Sequence, residues 1–176
     1  SKAVIKSAFD LDINLVCKKY DFDQDGIVQE DDLRSLLFAT YLSPREAAGK
    51  AYNEIDDLKE LTNYMEKALN EHNQISKKPM DLVMFRFAIE HVSRISRILL
   101  QPRGNILLVG VGGSGRQSLT RLAAYVAEYD VFQVEISKGY NKQNWYEDLK
   151  KIFKIAGGQG KPIVFLLSDT QIQQES

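Results

Sequence analysis

The chain has 176 residues, 44% of them apolar and 27% charged, with a formal net charge of −1. That length can bury one sizeable core, and the apolar share is ordinary for a globular protein. The near balance of 23 basic and 24 acidic residues excludes a global electrostatic pull toward nucleic acid or an acidic membrane.

Cys17 is the single cysteine, so there is no internal disulfide and a reducing compartment fits. No apolar run approaches the ~18 residues of a membrane span, and no signal-peptide pattern is visible. The expectation is a soluble, cytosolic chain.

Residues 1–40 predict two short helices around an acidic turn. Phe9, Ile13, Val16, Cys17 and Tyr20 recur at helical spacing, and Leu33, Leu36 and Leu37 resume that pattern beyond the turn. Between Asp10 and Asp32 eight carboxylates stand against only Lys18 and Lys19. The turn resembles an EF-hand calcium loop. Asp21, Asp23 and Asp25 fall at ligand positions one, three and five, Gly26 at the sharp turn and Val28 at the apolar eighth position. Position twelve is Asp32 instead of a bidentate Glu, and no second hand follows, so any calcium site here is weak. The alternative is an Asp/Gly turn leading into a helix capped near Glu30 or Asp31.

Residues 41–80 predict a connector and a surface helix. Leu58, Leu61, Met65 and Leu69 form one stripe within a helix over 55–73, which Lys77-Lys-Pro79 ends. Residues 81–100 predict a stronger helix with Phe85, Ala88, Val92, Ile95 and Leu99 inward and Arg86, Arg94 and Arg97 outward. His91 has no cysteine or carboxylate cluster at metal-ligand spacing, so it reads as an ordinary packed or exposed histidine. Gln101-Pro-Arg-Gly104 breaks this helix.

From Asn105 the pattern alternates. A strand buried on both faces over 105–109, a helix over 118–128, a strand over 131–137, a helix over 144–156 and a buried strand over 163–167 give βαβαβ, hence a parallel sheet with right-handed crossovers. Three strands make a thin sheet, and the expectation is part of a larger fold. The lysines between Lys138 and Lys161 are dispersed among helix positions and read as a solvated face, not a nucleic-acid patch.

The glycine cluster after the first of these strands is a phosphate cradle: glycines let backbone N–H groups approach an anion, and a helix N-terminus follows. Gly110 to Gly115 fits two fingerprints. As G-x-x-x-x-G followed by a basic residue it is a degenerate P-loop; through Gly110, Gly112 and Gly115 it is a G-x-G-x-x-G dinucleotide turn. The second reading, an NAD-binding Rossmann domain of an oxidoreductase, would use Glu135 for the ribose hydroxyls. The first would use Asp169, after the apolar run Ile163–Leu167, on the magnesium side. Spacing alone leaves both open.

The run Gly110-Val-Gly-Gly-Ser-Gly-Arg-Gln-Ser-Leu-Thr-Arg-Leu-Ala123 resembles the phosphate loop of the fourth AAA+ module in dynein heavy chains, the axonemal kind especially. Similar segments are Asp32–Phe38, Met80–Phe85, Glu90–Ile95, Gln101–Asn105, Phe132–Ser137 and Ser168–Ile172, so the likeness covers about Asp31 to Ser176. It implies an α/β P-loop NTPase (AAA+) parallel-sheet core, incomplete, preceded by an α-helical connector. Residues 1–78 would be the connector and 79–176 the N-terminal part of the module. It further implies ATP or ADP with Mg2+ in a microtubule motor ATPase of the cytoskeleton or the axoneme of a cilium or flagellum. Partners would be neighbouring AAA+ modules, microtubules, and dynein intermediate and light chains, with no nucleic acid and no membrane.

Carried onto this sequence, the nucleotide-binding residues would be Gly110, Val111, Gly112, Gly113, Ser114, Gly115, Arg116, Gln117, Ser118 and Asp169. Magnesium would draw on Gln117, Ser118 and Asp169, and Met80–Phe85 would lie beside adenine. Two departures stand out. The P-loop Lys is Arg116 followed by Gln117, and the residue after Asp169, where hydrolysing modules carry Glu, is Thr170. Glu175 is too far along to be assumed a substitute. The expectation is a site that binds nucleotide, hydrolyses it slowly or not at all, and regulates.

Overall fold

The computed structural model describes residues 18–21, 25–29, 36–41 and 52–172. Four helices of two turns or more organise the described residues, three of them around one core. Helix α1 (Leu58–Ile75) starts where the Asp57 carboxylate accepts from the N–H groups of Lys59 at 2.7 Å and Glu60 at 3.2 Å. Leu61, Met65, Ala68 and Leu69 are its buried stripe, as its periodicity predicts.

Helix α2 (Arg86–Leu99) buries Ala88, Ile89, Val92 and Ile95 and keeps Arg86, Arg94 and Arg97 outside, where Arg86 and Arg94 flank Glu90. It starts later than the expected residue 81. Phe85 is its N-cap, exposed and stacked on Phe87, instead of a core position. The preceding residues are extended because Asn73 clamps them: its Nδ2 donates to the Met80 carbonyl at 2.8 Å and its Oδ1 accepts the Met80 N–H at 2.7 Å. The helix ends at a tight return. A Cβ on Gly104 would lie 1.9 Å from the Ile98 carbonyl oxygen, so only glycine fits.

Helix α3 (Arg116–Val126) lies against α2 through small residues, and the Ser96 hydroxyl donates to the Ala123 carbonyl across that contact at 3.4 Å. Leu119, Leu122, Ala123 and Val126 join Leu61, Met65, Ile89, Val92 and Ile95 in one cluster. Each fully buried aliphatic here is worth about 1.5–3 kcal/mol relative to exposure. The core therefore draws on α1, N-terminal to the expected division at 78/79, as well as on α2 and α3.

A parallel pair completes the fold. Strand β3 (Asp130–Gln133) pairs with β4 (Ile163–Leu166) in register Asp130↔Ile163 to Gln133↔Leu166. Helix α4 (Lys142–Phe153) forms the crossover, opened by an Asn141 capping box and relaxing into a π turn over Lys154–Gly158. Phe132 and Trp145 pack on the Phe165 ring at 6.2 and 5.9 Å between centroids. The lysines of this region are solvated as expected, with Lys150 and Lys151 paired to Glu147 and Asp148.

Two expectations need correction. Residues 105–109 form no strand and are not buried on both faces. Ile106 and Leu108 pack on the helical core, while Leu107 and Val109 are 86% and 85% exposed. No described segment supplies the backbone partners that would close that edge. Leu36 and Leu37 are not helical either: strand β1 (Phe38–Ala39) pairs antiparallel with β2 (Asn53–Glu54), and the Ile55 N–H extends the ladder to the Leu37 carbonyl at 2.8 Å. The helix expected at Phe9 to Cys17 lies outside the described residues; Lys18–Tyr20 form a 3-10 turn.

Candidate nucleotide-binding site

The glycine loop is shaped by backbone conformations that side chains disfavour. Gly113 and Gly115 have φ of +77° and +73°, the left-handed region where a Cβ costs about 1–2 kcal/mol. Gly115 is also the N-cap of α3 and has no side-chain cap. The first helical N–H groups, those of Arg116, Gln117 and Ser118, are therefore left for an anion, and the positive end of the helix dipole adds to them. The Leu119 N–H already serves the Gly115 carbonyl at 2.8 Å. Val111, Gly112, Gly113 and Ser114 are exposed, and Ser114 closes the turn by donating its N–H to the Val111 carbonyl at 3.4 Å. Leu82, in the segment expected beside adenine, lies 3.8 Å from the Cβ position of Gly115.

Arg116 leans back across the loop. Its Nη1 donates to the Leu108 carbonyl at 3.2 Å and its Nη2 to the Val111 carbonyl at 3.1 Å. A guanidinium has five N–H donors, so three remain for a phosphate. The cation thus stands at the mouth of the loop, next to the uncapped helix start, which suits a polyanion.

Gln117 belongs to a relay that sequence reasoning missed. Its Oε1 accepts from Gln133 Nε2 at 3.1 Å, and Gln133 Oε1 accepts from the Arg121 guanidinium. Gln133 is the last residue of β3, and Arg121 lies one turn along α3. Nothing in the spacing announces such a contact across two elements.

Asp169 opens a 3-10 turn, Asp169–Gln171, directly after β4, and its Oδ1 accepts the Thr170 N–H at 2.9 Å. Gln171 fastens that turn to the residue following β3 by donating to the Val134 carbonyl, and accepts the Ser168 N–H at 2.8 Å. The Thr170 hydroxyl is 2.9 Å from that of Ser168. Neither Asp169 nor Thr170 makes a hydrogen bond or ion pair to the loop among the described residues; Glu175 lies outside them. Ser118 sits in the opening turn of α3, half-buried. One of the two lone pairs of the Gln117 oxygen is engaged by Gln133. No group of three or more His, Cys, Asp or Glu is placed to hold a metal among the described residues.

The competing sites read differently. Glu135, required by the dinucleotide reading, follows β3, is exposed, and is ion-paired with Lys78, which holds its carboxyl below the usual range. Of the acidic turn, Asp21 Oδ2 accepts the Gly26 N–H at 2.9 Å and Asp25 Oδ1 the Ile27 N–H at 2.7 Å, with Val28 fully buried. Asp23 and Asp32 lie outside the described residues. His91 stacks edge-on against Phe87 at 4.0 Å, a packing role. An open cleft of about 430 Å³ between β3 and α4 is lined by Glu135, Tyr140, Glu147, Asp148 and Lys151 among others. Tyr140 donates to Asp148 there, and burial with that bond pushes its hydroxyl up to about 12.

A glycine loop opening a helix that packs beside a parallel βαβ unit is common to P-loop and dinucleotide-binding folds, and the family match decides between them for the AAA+ P-loop fold. Residues 80–176 match the family described as the P-loop containing dynein motor region D4. The chain belongs to that family and is a dynein heavy-chain segment. It is 53% identical over 151 residues to dynein axonemal heavy chain 3 of Mus musculus, covering 86% of this chain and 4% of that protein. Dynein axonemal heavy chain 6 of Homo sapiens is 48% identical over 143 residues (81% and 3%), and dynein axonemal heavy chain 2 of Homo sapiens is 52% identical over 128 (72% and 3%). The chain thus spans only about 4% or less of the length of these relatives. No helix among the described residues is long and apolar enough to cross a membrane.

Proposed function

We propose that the Gly110–Ser118 loop binds ATP or ADP within an axonemal dynein motor and cleaves ATP slowly or not at all, acting as a regulatory site. The observation that carries this is the uncapped start of α3, with left-handed Gly113 and Gly115 before it and the Arg116 guanidinium over the loop. Backbone N–H groups from Val111 to Gln117, except that of Ser114, which closes the turn to the Val111 carbonyl, would wrap the phosphates, and three Arg116 donors would balance their charge. Leu82 and its neighbours would give the base an apolar wall.

The regulatory reading rests on what stands where water would be activated. Thr170 is a poor base, and its hydroxyl is engaged with Ser168. Within the motor, the site would report nucleotide occupancy to neighbouring AAA+ modules, while force on microtubules and axonemal placement belong to the whole protein.

The test is rapid-quench single-turnover ATP cleavage by the intact motor, whose burst amplitude counts the cleaving sites. Asp169→Ala is expected to leave that amplitude unchanged. Loss of one site's worth of product would show that this module cleaves ATP and would overturn the regulatory reading.

A further inference from the structure

Arg121 has only donors, and this fixes the direction of every hydrogen bond in the relay it begins. Because the guanidinium cannot accept, the Gln133 atom facing it must be the oxygen, and the Gln133 amide nitrogen is what points to Gln117. That nitrogen in turn requires the Gln117 oxygen. One acceptor site of the Gln117 oxygen is thereby used, while both donors of its NH2 make no hydrogen bond among the described residues.

We infer that Gln133 and Arg121 are positioning residues that hold Gln117 as a hydrogen-bond donor toward the terminal phosphates, so that nucleotide binds this loop without help from magnesium. The inference rests on the nucleotide reading given above and specifies how the site meets its ligand. A P-loop usually places a hydroxyl oxygen after the cation to ligate the metal. Here the corresponding oxygen accepts from Gln133 at the end of β3, which leaves the Gln117 NH2 as the group to meet the phosphates. Charge-assisted bonding from Arg121 polarises the Gln133 amide and strengthens its hold on Gln117. With the Arg116 fork and the helix start, the loop then offers donors throughout. Donors neutralise phosphate charge directly, so the metal is not needed for that purpose.

Changing Gln133 to Glu reverses the relay without changing its shape. A carboxylate at that position accepts from Arg121 with one oxygen and demands a donor for the other. Gln117 must then turn over and present its oxygen to the ligand, which suits magnesium. Peptide-resolved hydrogen exchange over residues 110–121 of the full heavy chain, titrated with ATP in Mg2+ or in EDTA, reads the affinity at this loop alone. The unaltered protein is expected to give dissociation constants that agree within about threefold in the two buffers. Gln133→Glu is expected to bind at least about tenfold more weakly in EDTA than in Mg2+. Gln117→Leu, which removes the donor and leaves the fold of the loop intact, should weaken binding by the same factor in both buffers. ATP protection of the unaltered loop that disappears in EDTA would overturn the inference and leave the nucleotide reading standing. No ATP- or ADP-dependent protection in either buffer would defeat the nucleotide reading and this inference with it.

Discussion

Replacing Arg116 with Ala is expected to weaken ATP binding at this loop by about 10- to 100-fold, from the 1.5–3 kcal/mol that a hydrogen-bonded charge contributes. Two effects act in the same direction. The side chain supplies the only cation within the Gly110–Ser118 run, and it braces the Leu108 and Val111 carbonyls that flank the first glycine. Arg116→Lys separates them. It keeps a charge able to reach a phosphate and loses the two-pronged brace, so it should recover part of the affinity. Site-resolved exchange of the loop peptide against ATP measures both variants. Equal affinity for Arg116→Ala and the unaltered chain would remove Arg116 from the site.

Leu122→Ala is expected to destabilise the helical core by about 2–5 kcal/mol, because the residue is fully buried and the helices around it can close only partly on the space left. Leu122 stands on α3 in the cluster that also holds residues of α1 and α2. Its loss should speed amide exchange along α3 and at the loop that α3 supports, while the β3–β4 pair is affected less. A cost under about 1 kcal/mol would mean that the helix carrying the phosphate loop is not anchored by this cluster.

How much of this was legible beforehand depends on the range of the interaction. Stripes such as Leu61-Met65-Leu69 and Ala88-Val92-Ile95 are local statements of helical period, and the helices lie where those stripes put them. The glycine loop was equally plain, since the glycines themselves set the backbone. The parallel β3–β4 pairing followed from strand, helix and strand in succession.

What failed was whatever depends on a partner distant in sequence. Ile106–Val109 reads as a fully buried strand, but only one of its faces has a described neighbour. The β1–β2 ribbon spans two residues on each side, too short to leave an alternating pattern, and it overrides the leucines that suggested a helix. Phe85 keeps helical spacing with α2, yet the Asn73 clamp on Met80 draws the chain out just before it. Gln133 and Arg121 were missed because neither belongs to a motif. Their signal was a cation on the helix of the loop and an amide at the tip of the adjoining strand, visible only once the fold brings them together.

We propose a loop whose cradle is kept and whose cleavage is slow or absent. Its most direct test is the structure of the intact motor supplied with ATP. In the first turnovers ATP is expected there uncleaved, with its phosphates on the free N–H groups between Val111 and Gln117, the Arg116 guanidinium against them and Leu82 beside the base. A loop without nucleotide, or one already holding ADP within the time of a single motor turnover, would be the opposite result.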